Sequence, residues 1–300
     1  DDSMKVRPFY TATMIRPAQL WKFVAMNDWF IGDFMWTGVD YLGEARWPRK
    51  NSTSGVLDLV GFPDDGYFFY KSQWTDEPMI HLFPHWNWEG REGRFIPVLA
   101  YTNVDAVELY LNDRFIGERR VEFPRQGTTG SWNGYTQPRV FPTTADLHMS
   151  WDVPYEPGVL RAVGKVNDEV VVTQEVRTAG EAAALRVRVD RSSIYSETRD
   201  VAHVEVEVVD ADGVVVPSSD HLVRFTVEGP ARLLAVGNGN PTDYSSYQAS
   251  ERRAFHGLLL GMIQSTDEVG QVRVTARADG LESASVGITV VPGVGPPRLD

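Results

Sequence analysis

Asp28-Trp29-Phe30-Ile31-Gly32-Asp33-Phe34-Met35-Trp36-Thr37-Gly38-Val39-Asp40-Tyr41-Leu42-Gly43-Glu44 decides how the rest of the chain is read. Residues 29–37 are apolar and aromatic enough to predict a buried strand, and the strand runs out into a cluster of Trp, Asp, Tyr and Glu. Upstream, residues 16–27 predict a helix: Leu20, Trp21, Phe23 and Val24 recur at roughly helical spacing. Pro17 suits its first turn, where a missing N–H costs nothing. Downstream, residues 41–65 are rich in Gly, Pro, Ser and Asn and read as loop. Residues 66–74, with Tyr67-Phe68-Phe69-Tyr70 too crowded to sit exposed, predict a short aromatic helix.

Helix, strand, long loop, helix is the order expected at the end of a (β/α)8 barrel. After Pro78 the texture changes to short alternating strands at 95–102, 107–111, 115–119, 159–166 and 170–175, with turns at Asn112-Asp113 and Asn167-Asp168. Beyond a linker at Thr178-Ala179-Gly180-Glu181, strands resume at 185–189, 203–209, 222–227, 232–236, 257–264, 271–276 and 284–291. Their number and spacing predict an immunoglobulin-like sandwich without the Cys…Trp…Cys signature. The expected fold is therefore mainly β. The last β/α unit of a barrel fills 1–77, β-sandwich domains fill 78–180 and 181–292, and 293–300 is a tail. Between the strands, residues 121–147 form a long Gly-, Pro- and Thr-rich segment carrying Trp132 and Tyr135, and loops of that length are usually functional or mobile.

Composition narrows the chemistry. The 300 residues are 42% hydrophobic, enough for real cores, and contain no cysteine. Disulfides, thiolate metal sites and a Cys nucleophile are excluded together. A net charge of −12 argues against nucleic acid and suits a neutral glycan or glycoside. No run of ~18 apolar residues predicts a transmembrane helix. The start, Asp1-Asp2-Ser3-Met4-Lys5, has no signal-peptide core. It reads as internal to a longer protein, so location stays open, with a secreted or periplasmic setting favoured.

Trp36 is the first candidate for function. At the C-terminal end of a barrel strand, its indole would offer a stacking face to the C–H side of a sugar ring; otherwise it fills core. Glycoside hydrolysis needs two carboxyl groups, ~5–5.5 Å apart in a retaining enzyme. Asp33 and Asp40 are not that pair, since seven extended residues span ~23 Å. Asp40 and Glu44 could meet in a turn, either to bind sugar hydroxyls or to cap loop backbone. His81 and His85 have the spacing of a helical metal pair, but Pro84 between them disfavours a helix, so structural roles are expected. Trp86 and Trp88 are expected to wedge the barrel against the next domain. Gly237-Asn238-Gly239-Asn240 lacks the Lys-Ser/Thr of a phosphate loop and reads as a sandwich turn. No Gly-x-Ser-x-Gly elbow occurs. No metal or cofactor is called for.

Several landmarks keep one order: Gly32–Glu44; Leu57-Asp58-Leu59-Val60-Gly61-Phe62-Pro63; Tyr70-Lys71-Ser72-Gln73-Trp74; His81-Leu82-Phe83-Pro84-His85-Trp86-Asn87-Trp88; Val107-Glu108-Leu109-Tyr110-Leu111-Asn112; His221-Leu222-Val223-Arg224-Phe225; and Arg253-Ala254-Phe255-His256-Gly257. In that order they resemble glycoside hydrolase family 2, in its multi-domain β-galactosidase branch. The resemblance covers residues ~16 to ~290, and the Phe-x-Trp-Thr-Gly-x-Asp-Tyr-Leu-Gly-Glu signature assigns Trp36 the sugar platform. It implies that the chain is the C-terminal portion of a retaining exo-β-glycosidase. The acid/base and nucleophile Glu follow the fourth and seventh barrel strands, upstream of this chain, which alone would be inactive. Asp33 stands where similar enzymes often have Glu, and 121–147 looks longer than usual. The implied partners are a β-linked oligosaccharide or glycoside and the upstream remainder of the enzyme; homo-oligomer formation stays open. β-Glucuronidases and β-mannosidases share the architecture, so the glycoside is not specified. The rival reading is a non-catalytic carbohydrate-binding or adhesive module of two sandwiches, against which residues before 78 count.

Overall fold

A computed structural model of the chain describes residues 12–125, 129–130, 139–140 and 146–293. Trp132, Tyr135, most of the 121–147 segment and the tail beyond 293 lie outside them. Two compact units emerge. Unit 1 comprises Asp1–Tyr41, Ser52–Asp58 and Phe62–Thr178; unit 2 comprises Leu42–Asn51, Leu59–Gly61 and Ala179–Asp300.

In unit 1, Phe95–Thr102 is the central strand of an antiparallel sheet, flanked by Ile80–Phe83 and Met149–Pro154. A second antiparallel sheet runs in the order Glu169–Arg177, Val159–Val166, Ala106–Leu111, Arg114–Arg120. Its hairpins turn at Asn112-Asp113 (φ 49° and 62°) and Asn167-Asp168 (φ 51° and 65°). Positive φ at both turn residues matches the right-handed twist of the strands, and Asn and Asp tolerate it. Ile96, Val98, Ala100, Trp151 and Val153 of one sheet share a buried cluster with Val107, Leu109, Leu111 and Leu160 of the other. Successive strand side chains point to opposite faces. The central strand therefore turns Leu99 and Tyr101 into a second cluster, with Ala18 of helix α1 (Ala12–Ala25) and Phe69 and Tyr70 of helix α2 (Asp65–Trp74).

The α2 helix falls where the aromatic run predicts it. The α1 helix starts earlier than predicted and leaves Pro17 inside rather than in the first turn. That loses one backbone bond, while packing holds the helix: Trp21 lies edge-on to Trp74 at 5.7 Å and donates its indole N–H to Gln73 at 3.1 Å.

Two expectations need correction. Residues 29–37 are not a strand: they pair with no neighbouring strand among the described residues, and Ile31 and Phe34 lie fully exposed. A parallel barrel strand takes its ladder bonds from strands on either side, and apolar composition cannot supply them. Trp86 does not wedge the barrel against a sandwich. It is wholly buried inside the sandwich core beside Tyr155 and donates its indole N–H to the Glu156 carbonyl at 3.0 Å. The cause is that Ile80–Phe83 already belongs to the sandwich, so the chain enters that core before Trp86. Trp88 packs at the margin of the same core.

Unit 2 is a second sandwich. One sheet has the order Ala184–Val189, Val201–Val209, Leu258–Ser265, Ala231–Gly237; the other runs Ser193–Tyr195, Ala284–Val291, Gly270–Ala278, Leu222–Glu228, Glu251–Arg253. Val204, Val206, Val223, Phe225, Leu259 and Ile288 are in its core. Among the described residues no helix is long and apolar enough to cross a membrane.

Candidate functional site

The loop after Trp36 folds back on itself. Thr37 N–H donates to Ser54 O (3.3 Å), Leu57 N–H to Gly38 O (3.1 Å) and Asp40 N–H to Leu57 O (2.8 Å). Val39 and Leu57 form an isolated parallel bridge. Two stretches of backbone are thereby brought so close that a Cβ on Gly55 would lie 2.3 Å from Asp40 N and 2.7 Å from Leu57 O. Glycine is the residue that permits this approach.

Asp40 is buried, and its Oδ1 accepts the Gly55 N–H at 2.8 Å. Of the two roles open to it, backbone capping is the one its contact displays. Trp36 is 74% exposed; its indole N–H donates to the Tyr41 hydroxyl at 3.1 Å, and the rings meet edge-on at 5.9 Å. Its polar atom is satisfied while the ring stays in solvent, which suits an aromatic side chain that serves as a contact surface. The Trp36–Thr37 peptide bond is cis. Glu44 lies in unit 2, exposed and at φ 47°.

Asp64 is the group that sequence reasoning missed. It precedes α2, its N–H donates to Val56 O at 2.9 Å, and its carboxyl makes no capping bond. Burial first, then the charges of Asp40, Asp58 and Asp65, push its pKa up to about 7. Such a carboxyl keeps a proton near neutrality, as desolvated and like-charged carboxyls do. The signal available was the density of Asp at 58, 64 and 65 beside Asp40. Burial of the Tyr70 phenol, with the Asp33 charge second, pushes that group up to about 12.

The two histidines have separate partners. His81 Nε2 lies 2.7 Å from Asp65 Oδ1 with its ring stacked on Phe68, whereas His85 stacks on Trp88. Among the described residues no group of three or more His, Asp or Glu is placed to hold a metal. A cavity of about 480 Å³ in unit 1 is lined by Arg119, Arg120, Arg125, Asp146 and His148 among others, and by none of Trp36, Asp40 and Glu44.

Residues 185–287 match the family model for glycoside hydrolase family 2 C-terminal domain 5, and residues 93–172 match a domain of unknown function, DUF4982. Over 272 residues the chain is 36% identical to β-galactosidase BoGH2A of Bacteroides ovatus, covering 89% of this chain and 29% of that protein. A protein named putative β-glucuronidase from Formosa agariphila is 33% identical over 265 residues, covering 86% of this chain and 24% of that one. Among solved structures, a β-glycosidase from Bacteroides vulgatus superposes with a TM-score of 0.80 at 34% identity, covering 91% of this chain and 32% of that chain. A glycosyl hydrolase family 2 member from Bacteroides cellulosilyticus gives 0.77 at 28%, covering 90% and 37%. The chain thus spans about a third or less of the length of these first relatives.

Proposed function

The chain belongs to glycoside hydrolase family 2, and from that premise we propose that it is the C-terminal portion of a retaining exo-β-glycosidase acting on terminal β-galactosides. In this reading residues 1–77 end the catalytic barrel, and 78–180 and 181–292 are sandwich domains that buttress it. The observation that carries the proposal is the exposed Trp36 indole, tied by its N–H to Tyr41 and left open to a ligand. An aromatic face excludes water over the apolar side of a pyranose while the reacting carboxyls work elsewhere.

The chemistry itself needs two carboxyl groups across the scissile bond, one passing from acid to base and one forming the glycosyl-enzyme intermediate. Asp40 is committed to Gly55 N–H and Asp33 Oδ1 to the Phe34 N–H at 2.8 Å. Family resemblance assigns both reacting groups to glutamates outside this chain.

Local electrostatics favour a galactoside over a glucuronide. Asp40, Asp58 and Asp65 all act on Asp64 with the same sign, and a uronate carboxylate brought to this loop would meet further repulsion. A neutral sugar would not. The polypeptide that contains this chain is therefore expected to hydrolyse nitrophenyl β-galactoside well above nitrophenyl β-glucuronide. The isolated 300 residues should turn over neither. Turnover by the pure chain would sink the placement of the catalytic glutamates. Preference for the glucuronide, or for a β-mannoside, would sink the substrate assignment.

A further inference from the structure

Unit 2 carries an aromatic surface that the reading above leaves unused. Trp47 is 86% exposed and Tyr244 58% exposed, yet their rings stack with centroids 6.0 Å apart and planes at 28°. They come from stretches far apart in sequence: Trp47 from Leu42–Asn51, and Tyr244 from the loop between the strands Ala231–Gly237 and Glu251–Arg253. The two are tied together. Lys50 N–H donates to Pro241 O at 2.8 Å, the Tyr244 hydroxyl to Pro48 O at 3.3 Å, and the Lys50 ammonium to Asp243 O. That ammonium also lies 4.8 Å from the centre of the Tyr247 ring, and the Arg252 guanidinium 5.2 Å from it.

Arg252 anchors the loop from inside. It is 1% exposed and donates to the carbonyls of Val236, Ser245 and Ser246 and to the Asp243 carboxylate. A guanidinium stays buried only where most of its donors are met, so these carbonyls and this carboxylate are held in place together. The outcome is a pre-set pair of rings in place of a floppy loop tip, and preorganisation of this kind lowers the entropy cost of binding.

Size selects the occupant. With an aromatic side chain offering ~150–250 Å², the exposed parts of the two rings amount to roughly 300 Å². A stable protein interface needs ~800 Å² on each partner. One or two pyranose rings need about what is there. The negative π face attracts the polarised C–H groups of a sugar. We propose that Trp47 and Tyr244 form a glycan-binding platform that takes neutral pyranose rings by stacking.

The test is isothermal titration calorimetry of β-1,4-galactotetraose into the 300-residue chain carrying Trp36→Ala, so that the surface assigned to Trp36 is silent. Binding is expected to persist. Adding Trp47→Ala should weaken it at least tenfold and Tyr244→Ala severalfold, while Trp47→Phe keeps part of the affinity. The urea midpoint of the Trp47→Ala protein should match its parent, since the ring is exposed. Undetectable binding in the Trp36→Ala parent overturns the proposal while leaving the reading of Trp36 intact. So does affinity indifferent to Trp47→Ala, or binding abolished by about 0.5 M salt, where cations rather than rings would be at work.

Discussion

Replacing Asp64 by Asn probes the electrostatics of the Trp36 loop through stability. In the folded chain this carboxyl titrates at about 7 against an ordinary 3.8. A raised carboxyl pKa means the folded state holds the proton longer than the unfolded state. Stability is therefore lost as pH rises from about 4 to about 7 and is level above that. Asp64 is exposed at the surface, so solvent screening leaves only part of that pKa difference as a stability effect, on the order of 1 kcal/mol. Asparagine carries no charge, is as good an N-cap as aspartate, and sacrifices no capping bond because Asp64 makes none. The stability gain of Asp64→Asn over the parent should therefore grow with pH, by on the order of 1 kcal/mol between pH 5 and pH 8. Urea unfolding followed by tryptophan fluorescence at the two pH values reads it, and taking the difference between proteins cancels other titrating groups. A gain that stays level or shrinks as pH rises refutes the burial and like-charge account of Asp64.

Three further perturbations are specified by single contacts. Gly55→Ala would place a methyl 2.3 Å from Asp40 N; the loop must part, and the protein should lose about 1–3 kcal/mol, with faster amide exchange at Asp40 and Leu57 as the local readout. Trp86→Ala empties a wholly buried site in the unit 1 sandwich and should cost about 3–5 kcal/mol, visible as an early unfolding phase of that unit; an unchanged midpoint would contradict its place in the core. Lys22, 1% exposed, pairs with Asp146 at 2.5 Å, and Lys22→Met should destabilise by up to about 3 kcal/mol, because the buried carboxylate is left with the Arg125 guanidinium 3.5 Å away. Burial pushes the Asp146 pKa up, but the Arg125 N–H and the Lys22 ammonium outweigh it and hold it below 3.8. The pair's contribution is thus present above pH 4 and fades as pH falls through the lowered value. A Lys22→Met protein as stable as its parent at pH 7 would remove the argument.

The strands were legible in sequence wherever alternation and turn chemistry agreed. Phe95–Thr102, Val159–Val166 and Ala284–Val291 lie where the pattern puts them, and the Asn-Asp turns have the positive φ that their residue types tolerate. Ser193–Tyr195 and Glu251–Arg253 were not, because a three-residue edge strand carries too little pattern to separate from loop. Met149–Pro154 was missed beside the long Gly-, Pro- and Thr-rich segment of the sequence. At the site, Trp36 could be singled out from its neighbours in sequence, whereas Asp64 could not, since its pKa depends on which carboxyls the loop brings together.

Local order, then, was determined by the sequence alone: residue type fixes which positions prefer extended or helical backbone, where turns fall, and where aromatic side chains stand. Only the tertiary structure decided that Trp86 lies inside a sandwich, that 29–37 pairs with no neighbouring strand, and that Trp47 meets Tyr244. Burial, strand pairing and contact between distant segments are properties of what each residue finds beside it, and no residue carries its neighbours across the fold in its own chemistry.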